Sequence, residues 1–324
     1  MPQLTGNWPE FVKGVSARID EIIVDTKDMA PSFQSLGLHK TDIADGLIYR
    51  TTGVTGLGYL EIFDEGDAIS EDRTYPAYTT EYVMKQSGKM TSISQMLAKT
   101  RMSELETKLG EVKENMAAAM RTLNRWAWQP LIDAFTTTGS QSNFPTAMLS
   151  DAVSLVSASH PSKVSGVAVR SNVVSGNPVL DKDSLWTAIL QLKDQLSGRG
   201  LPLNYQGKMV LVVPHALEKK AIELTASILA PFDTDNQINY YKGIVDVAVV
   251  DYINAANGGS DTAWFVIAKD VGDQASLRYV TLISPKIEKD VDFATKAIKV
   301  TVDMACAFGY SNFEYIVGST GLAA

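Results

Sequence analysis

The chain has 324 residues and a formal net charge of −8, with an isoelectric point near 5.0. Its length exceeds what one ordinary core supports, so two lobes or one elaborated domain are expected. Apolar residues at 45% and charged residues at 20% exclude wholesale disorder and fibrous repeats. The acidic balance excludes a dedicated nucleic-acid-coating surface, so any contact with nucleic acid is expected to be loose.

Residues 1–50 are expected to form an arm that lies on another surface. Within them, only Phe11–Val24 has the apolar spacing of an amphipathic helix. The glycines Gly53, Gly56 and Gly58 follow and are interpreted as a hinge. Their spacing differs from that of a dinucleotide-binding fingerprint, and they precede an extended segment where that motif precedes a helix.

Two extended segments, Tyr59–Ile69 and Tyr75–Met90, are expected to pair as a long hairpin. Their connection is rich in carboxylates, namely Asp64, Glu65, Asp67, Glu71 and Asp72. So much charge is costly to bury, and the hairpin should therefore project away from any core. The connection lacks the glycine and the closing glutamate of an EF-hand loop, so we do not interpret it as a calcium site.

A long helix is predicted for the run from about Thr91 to Phe135. Ser92 and Gln95 have the spacing of a capping box at its start. Apolar residues then recur every three or four positions, at Leu97, Met102, Leu105, Leu109, Val112, Met116, Met120, Leu123 and Trp126. Pro130 predicts a break. The uninterrupted part would be about 50 Å long, which is unusual in a compact enzyme.

The remainder alternates between loops, helices and strands. Residues 139–176 are rich in Ser, Asn, Pro and Gly and are expected to be mostly loop, and a helix capped by Asp181 or Asp183 follows. A mixed lobe of the α+β or α/β class is predicted next, from a strand at Met209–Val213, a helix from Pro214, and strands at Ile244–Tyr252 and Ala263–Ala268. The last predicted strands are Lys286–Val291, Ile298–Ala307 and Phe313–Val317.

Residues suited to catalysis or metal binding are few. His39, His160 and His215 do not have metal-ligand spacing, and His160 and His215 are interpreted as structural. The single Cys306 has apolar neighbours and is expected to be a small buried side chain in a protein of a reducing cytoplasm. No catalytic, cofactor-binding or metal-binding residue is predicted, no membrane span or export signal is recognised, and the protein is not expected to be an enzyme.

The acidic connection and the long helix have complementary charges. The basic candidates for inter-subunit contacts are Lys99, Arg101, Lys108, Arg121 and Arg125, and the acidic ones are the five carboxylates of the connection. Self-association could match the two sets. Alternatively, each is an ordinary solvent-facing charge, since Glu104 and Lys108 already have the spacing of a local helix pair.

The order of these parts resembles that of a tailed double-stranded-DNA bacteriophage major capsid protein with the Hong Kong 97-type fold. The supporting residues are Tyr82–Ser87, the Lys89–Gln95 entry into the helix, Gly198–Pro202, Leu211–Pro214 and Asn239–Gly243. The resemblance implies an α+β fold with an N-terminal arm at 1–50, an extended loop at 51–90, a peripheral domain with a long spine helix at 91–174 and 286–324, and an axial domain at 175–285.

The same resemblance implies a function and a set of partners. Hexamers and pentamers of the chain would form an icosahedral virion shell around double-stranded DNA, assembled in the host cytoplasm with a separate scaffolding protein, a portal and possible decoration proteins. The sequence starts directly with the arm, and Lys85 and Lys89 have no recognisable crosslinking partner, so no covalent crosslink is expected. The alternatives are an encapsulin-like compartment shell and, from a different class, a hydrolase.

Overall fold

The computed structural model describes residues 8–26, 29–60, 62–65, 71–100, 102–136, 146–226 and 239–322. The helices are α1 (Trp8–Thr26), α2 (Gln95–Thr100), α3 (Met102–Ala127), α4 (Gln129–Ile132), α5 (Lys182–Lys193) and α6 (Glu218–Ala226). The strands are β1 (His39–Ile43), β2 (Ile48–Val54), β3 (Pro76–Val83), β4 (Lys85–Ser94), β5 (Met209–Val213), β6 (Val245–Val249), β7 (Trp264–Ala268), β8 (Leu277–Asp292), β9 (Ala297–Tyr310) and β10 (Ile316–Ser319). The fold is therefore α+β.

The first sheet has four strands in the order β1-β8-β9-β4 and lies against α3. The predicted apolar stripe is confirmed, because its members Leu105, Leu109, Val112, Met116 and Leu123 are buried. The predicted N-terminal helix is also confirmed, as α1. It lies on its own chain, where its apolar face packs against α3 and β9.

The predicted start of the long helix is wrong by two residues. Ser92 belongs to β4, whose ladder with β9 continues to the pair Ser94–Ala297. Ser94 is the residue whose hydroxyl accepts a hydrogen bond from the Leu97 amide, at 3.3 Å. Strand pairing therefore overrides the local capping signal. The break near Pro130 is confirmed, since α3 ends at Ala127 and the short α4 follows.

The second sheet, in the order β10-β7-β5-β6, forms the central lobe. One face packs against α5 and α6, and the other joins the core that contains the end of α3. Of the two predicted caps for α5, Asp181 is the one used: its side chain accepts from the Ser184 amide at 2.8 Å. The strand expected at Phe313–Val317 is displaced to β10, which pairs with β7 of this sheet and not with the strands next to α3.

The predicted hairpin is wrong in its pairing. Strand β3 pairs with β2, from Ile48–Val83 to Val54–Pro76, whereas Lys85–Met90 belongs to the first sheet. The described part of Tyr59–Ile69 contains no strand. Strand β1 was not predicted. Its parallel partner, β8, is more than 230 residues away, and its side chains show no apolar alternation.

Candidate inter-subunit surface

The segment between β2 and β3 exposes large apolar side chains. Leu60 is 98% exposed and Ile62 is 100% exposed, and Leu57, Tyr59 and Phe63 are each more than half exposed. Single exposed apolar residues are common, but several within one short segment mark an interaction surface. These residues precede the predicted acidic connection, and their exposure was not part of the sequence-based expectation.

The base of this segment is held by one arginine of the central lobe. Arg199 Nη1 donates to the carbonyl oxygens of Gly56, at 3.2 Å, and Arg73, at 2.9 Å. Its Nη2 donates to Asp72 Oδ1, and the other oxygen of this carboxylate accepts from the Gly58 amide at 2.7 Å. The Gly58 amide and the Arg199 guanidinium hold the pKa of Asp72 below its usual value. We call this set of contacts the Arg199 latch.

The other predicted acidic residues lie on the same segment. Asp64, Glu65 and Glu71 are exposed, and Glu71 approaches Arg73 at 3.9 Å. Asp67 lies outside the described residues. Among the described carboxylates of this set, Asp72 has an anchoring role within the chain, and its partner Arg199 was not predicted.

The predicted basic residues are distributed along α2 and α3. Lys108 pairs with Glu111 at 2.7 Å. Arg121 pairs with Glu114. Arg125 is half-buried, Lys99 lies on α2, and Arg101 is outside the described residues. Exposed pairs of this kind contribute little to stability, so Lys108 and Arg121 are able to exchange partners.

A cleft of about 590 Å³ is lined in part by residues at the base of the segment. Its basic groups are already paired with carboxylates: Arg278 Nη1 is 2.6 Å from Asp42, Arg170 contacts Glu314, and Lys40 contacts Asp273. Burial raises the pKa of Glu314, and Arg170 opposes that rise. The first pair lies within the first sheet, between β8 and β1, the second joins two loops, and the third joins β1 to a loop. All three are structural.

The histidines and the cysteine have structural surroundings. His160 is buried, its Nδ1 is 3.0 Å from Asp151, and its ring stacks on Phe313 with centroids 3.6 Å apart. His215 is exposed beside Glu218, at 2.9 Å. Burial raises the pKa of the Cys306 thiol to about 12. Among the described residues, no cluster of three or more His, Cys, Asp or Glu could hold a metal, and none of the helices could span a bilayer.

Comparison with known proteins identifies the family. The family model described as "Phage capsid protein" matches residues 77–317, which is most of the chain. No curated protein matches.

Solved structures share the fold at low sequence identity. The capsid of Ralstonia phage GP4 is 10% identical with a TM-score of 0.53, and the alignment covers 87% of each chain. A chain of Mycobacterium phage Patience is 14% identical with a TM-score of 0.52, covering 98% of this chain and 88% of that one. The capsid structure of cyanophage P-SCSP1u is 12% identical with a TM-score of 0.50, covering 91% and 89%. The chain therefore belongs to the phage capsid protein family and is a structural major capsid protein with the Hong Kong 97-type fold.

Proposed function

We propose that copies of this chain assemble as hexamers and pentamers into an icosahedral virion shell that encloses double-stranded DNA. The observation that carries this proposal is the exposed apolar segment Leu57–Phe63. Its side chains face away from every core of the chain, so a neighbouring copy is the surface that removes them from water. The solved capsids of Ralstonia phage GP4 and cyanophage P-SCSP1u support the same role.

The apolar side chains are proposed to supply most of the contact energy. Fully burying one Leu or Ile side chain contributes about 1.5–3 kcal/mol, whereas an exposed ion pair contributes about 0–1 kcal/mol. The carboxylates Asp64, Glu65, Asp67 and Glu71 would then orient the approach towards basic residues of a neighbour. The basic candidates remain Lys99, Arg101, Lys108, Arg121 and Arg125.

The remaining parts of the proposal concern partners, location and domains. The role is noncatalytic, the shell assembles in the host cytoplasm, and scaffolding, portal and decoration proteins are the expected partners. The net charge of −8 fits a lining that holds DNA loosely. We propose the arm, extended loop, peripheral and axial domains within the predicted bounds, except that β10 is assigned to the axial sheet.

The test is electron microscopy of the purified chain, alone and with candidate scaffolding protein. The purified wild-type chain is expected to form shells or capsomer-sized rings. When it is expressed with the packaging machinery, the shells are expected to contain DNA. The double variant Leu60→Asp, Ile62→Asp is expected to remain a folded, unassembled species, because charges at these positions oppose burial. A strictly monomeric wild type under all conditions contradicts the proposal.

A control is Val169→Asp, which places a charge on a valine that is 65% exposed and lies outside the segment. It is expected to assemble as wild type does. If the control and the double variant lose assembly equally, the effect is one of general surface charge, and the segment is not the contact.

A further inference from the structure

Several hydrogen bonds hold the turn that carries Arg199. The Ser197 amide donates to the Leu201 carbonyl at 2.8 Å, and the Ser197 hydroxyl accepts from the Leu201 amide at 3.2 Å. Ser162 donates to the Gly198 carbonyl at 2.6 Å. Gly200 has a φ of +82°, a conformation that glycine adopts without strain. The backbone that presents Arg199 is therefore fixed.

The base of the projecting segment rests directly on this turn. A Cβ added to Gly198 would lie 3.2 Å from Thr55 Cγ2, so Gly198 packs closely against the Thr55 side chain, which would have to shift by a few tenths of an ångström to admit it. Thr55 is buried, and its hydroxyl accepts from the Tyr75 amide at 3.1 Å. The two strands of the base are thus tied to each other and to the central lobe.

The Arg199 latch bridges both sides of the segment. Its acceptors, the Gly56 carbonyl on the outgoing side and the Arg73 carbonyl and Asp72 carboxylate on the returning side, are 17 residues apart at most in sequence. The Arg199 side chain is 19% exposed, so this ion pair is better shielded from solvent than Arg50–Glu81 on the same hairpin, where the arginine is 65% exposed. A planar guanidinium with several fixed donors defines an orientation as well as a distance.

The direction of the segment matters because its contact residues lie beyond the latch. Ile62 is four residues past Gly58, a reach of up to about 13 Å at about 3.3 Å per residue. A rotation of about 10° at the base would displace that end by about 2 Å. A gap of about 0.5–1 Å already forfeits a quarter to a half of a dispersion contact. Small changes of angle at the base are therefore sufficient to change which contacts form.

We propose that Arg199 is a positioning residue that sets the direction of the projecting segment and thereby the geometry of contact between copies. The inference rests on the proposed assembly function. In this proposal, a residue of the central lobe determines the direction in which the segment of the same copy extends towards the neighbouring copy. Without the latch, copies still associate through Leu60 and Ile62, but at variable angles, and shells of uniform diameter do not form.

The test compares Arg199→Ala and Asp72→Ala with wild type in two assays. On the unassembled chain, chymotrypsin cleavage at Tyr59 and Phe63 is expected to be several-fold faster in both variants, while the melting temperature changes by no more than about 2 °C. In assembled samples, electron microscopy is expected to show a broadened distribution of particle diameters. Arg199→Lys, which keeps the charge but loses the planar fork, is expected to restore the distribution only in part.

The matched control is Arg50→Ala, which removes the exposed Arg50–Glu81 pair, at 2.8 Å, from the same hairpin. It is expected to leave cleavage and diameter unchanged. The inference is overturned if both latch variants cleave at the wild-type rate, or if they form shells of wild-type uniformity. Asp72 lies on the exposed segment, so Asp72→Ala is expected to fold. If Arg199→Ala does not fold, Asp72→Ala alone still tests the inference. Failure of wild type to assemble would count against the proposed function, and the cleavage assay would still test the latch.

Discussion

His39 Nε2 lies 2.9 Å from the carbonyl oxygen of Ala127, the last residue of α3. The neutral imidazole donates this bond, which satisfies one of the carbonyls that a helix C-terminus leaves without a partner. The His39 ring also meets Phe33 and Trp128 edge-on, with centroids 4.9 and 5.2 Å away. Strand β1 and the end of the long helix are thus joined through one titratable side chain.

Acid is expected to weaken this contact. Desolvation lowers the pKa of His39 from 6.5 to about 4, and the Ala127 hydrogen bond offsets only part of that decrease. The unfolded chain therefore binds the proton more readily, and stability is lost as the pH falls from 6.5 towards 4. The full difference corresponds to about 3 kcal/mol at most. Denaturant unfolding of the unassembled chain between pH 7 and pH 4 measures it.

The control for this prediction is His39→Gln, whose amide can donate to the same carbonyl but does not titrate in this range. The difference in unfolding free energy between wild type and the variant should shrink or reverse in sign as the pH falls. Parallel curves for the two proteins would show that His39 is not responsible for the acid sensitivity.

Two glycines are expected to respond oppositely to alanine. A Cβ at Gly309 would lie 2.3 Å from the carbonyl oxygen of Ala147, so Gly309→Ala should cost about 1–3 kcal/mol of unfolding free energy through overpacking. Gly110 lies on the exposed side of α3 with open space around it, and Gly110→Ala should stabilise the chain by about 0.5–1 kcal/mol. Urea midpoints of the two variants provide the measurement, and equal shifts would contradict the prediction.

Local periodicity was sufficient to predict the elements that bury a continuous face. The apolar stripe of α3 follows a spacing of three or four residues, and β5 and β7 are buried along their whole length. These patterns need no knowledge of partners. The same reasoning identified Asp181 as one of two possible caps, and the structure then selected it.

Long-range partners could not be predicted in this way. Strand β2 has mostly exposed side chains and is a strand because it pairs with β3, so its sequence has no alternation to detect. Arg199 reaches Asp72 across 127 residues, and no local spacing encodes that contact. The only sequence signal was the Gly198-Arg199-Gly200 turn, which identified a helix end and not a latch. Tertiary pairing decides both features.

The contact between α1 and α3 is expected to be a substantial part of the peripheral core. Leu105 is fully buried in a cluster with Phe11 and Val15 of α1, so Leu105→Ala should lower the unfolding free energy by about 2–5 kcal/mol. Val24→Ala, on the exposed side of α1, should change it by no more than about 0.5 kcal/mol. Chemical denaturation of both variants tests the difference. A small effect of Leu105→Ala would mean that α1 is not held in place by this cluster.

Two carboxylates at the start of α5, Asp181 and Asp183, are expected to differ in their contribution to stability. The Asp181 carboxylate accepts a hydrogen bond from the Ser184 amide, and the Ser184 hydroxyl accepts one from the Asp181 amide at 2.9 Å. Each side chain therefore satisfies the backbone amide of the other residue. Asp181→Ala removes this exchange and should cost about 0.5–2 kcal/mol. Asp183 lies in the first turn, where the helix dipole stabilises a carboxylate, so Asp183→Ala should cost about 0.3–1 kcal/mol. Urea unfolding at neutral pH distinguishes them, and a larger loss for Asp183→Ala would show that the cap is assigned to the wrong residue.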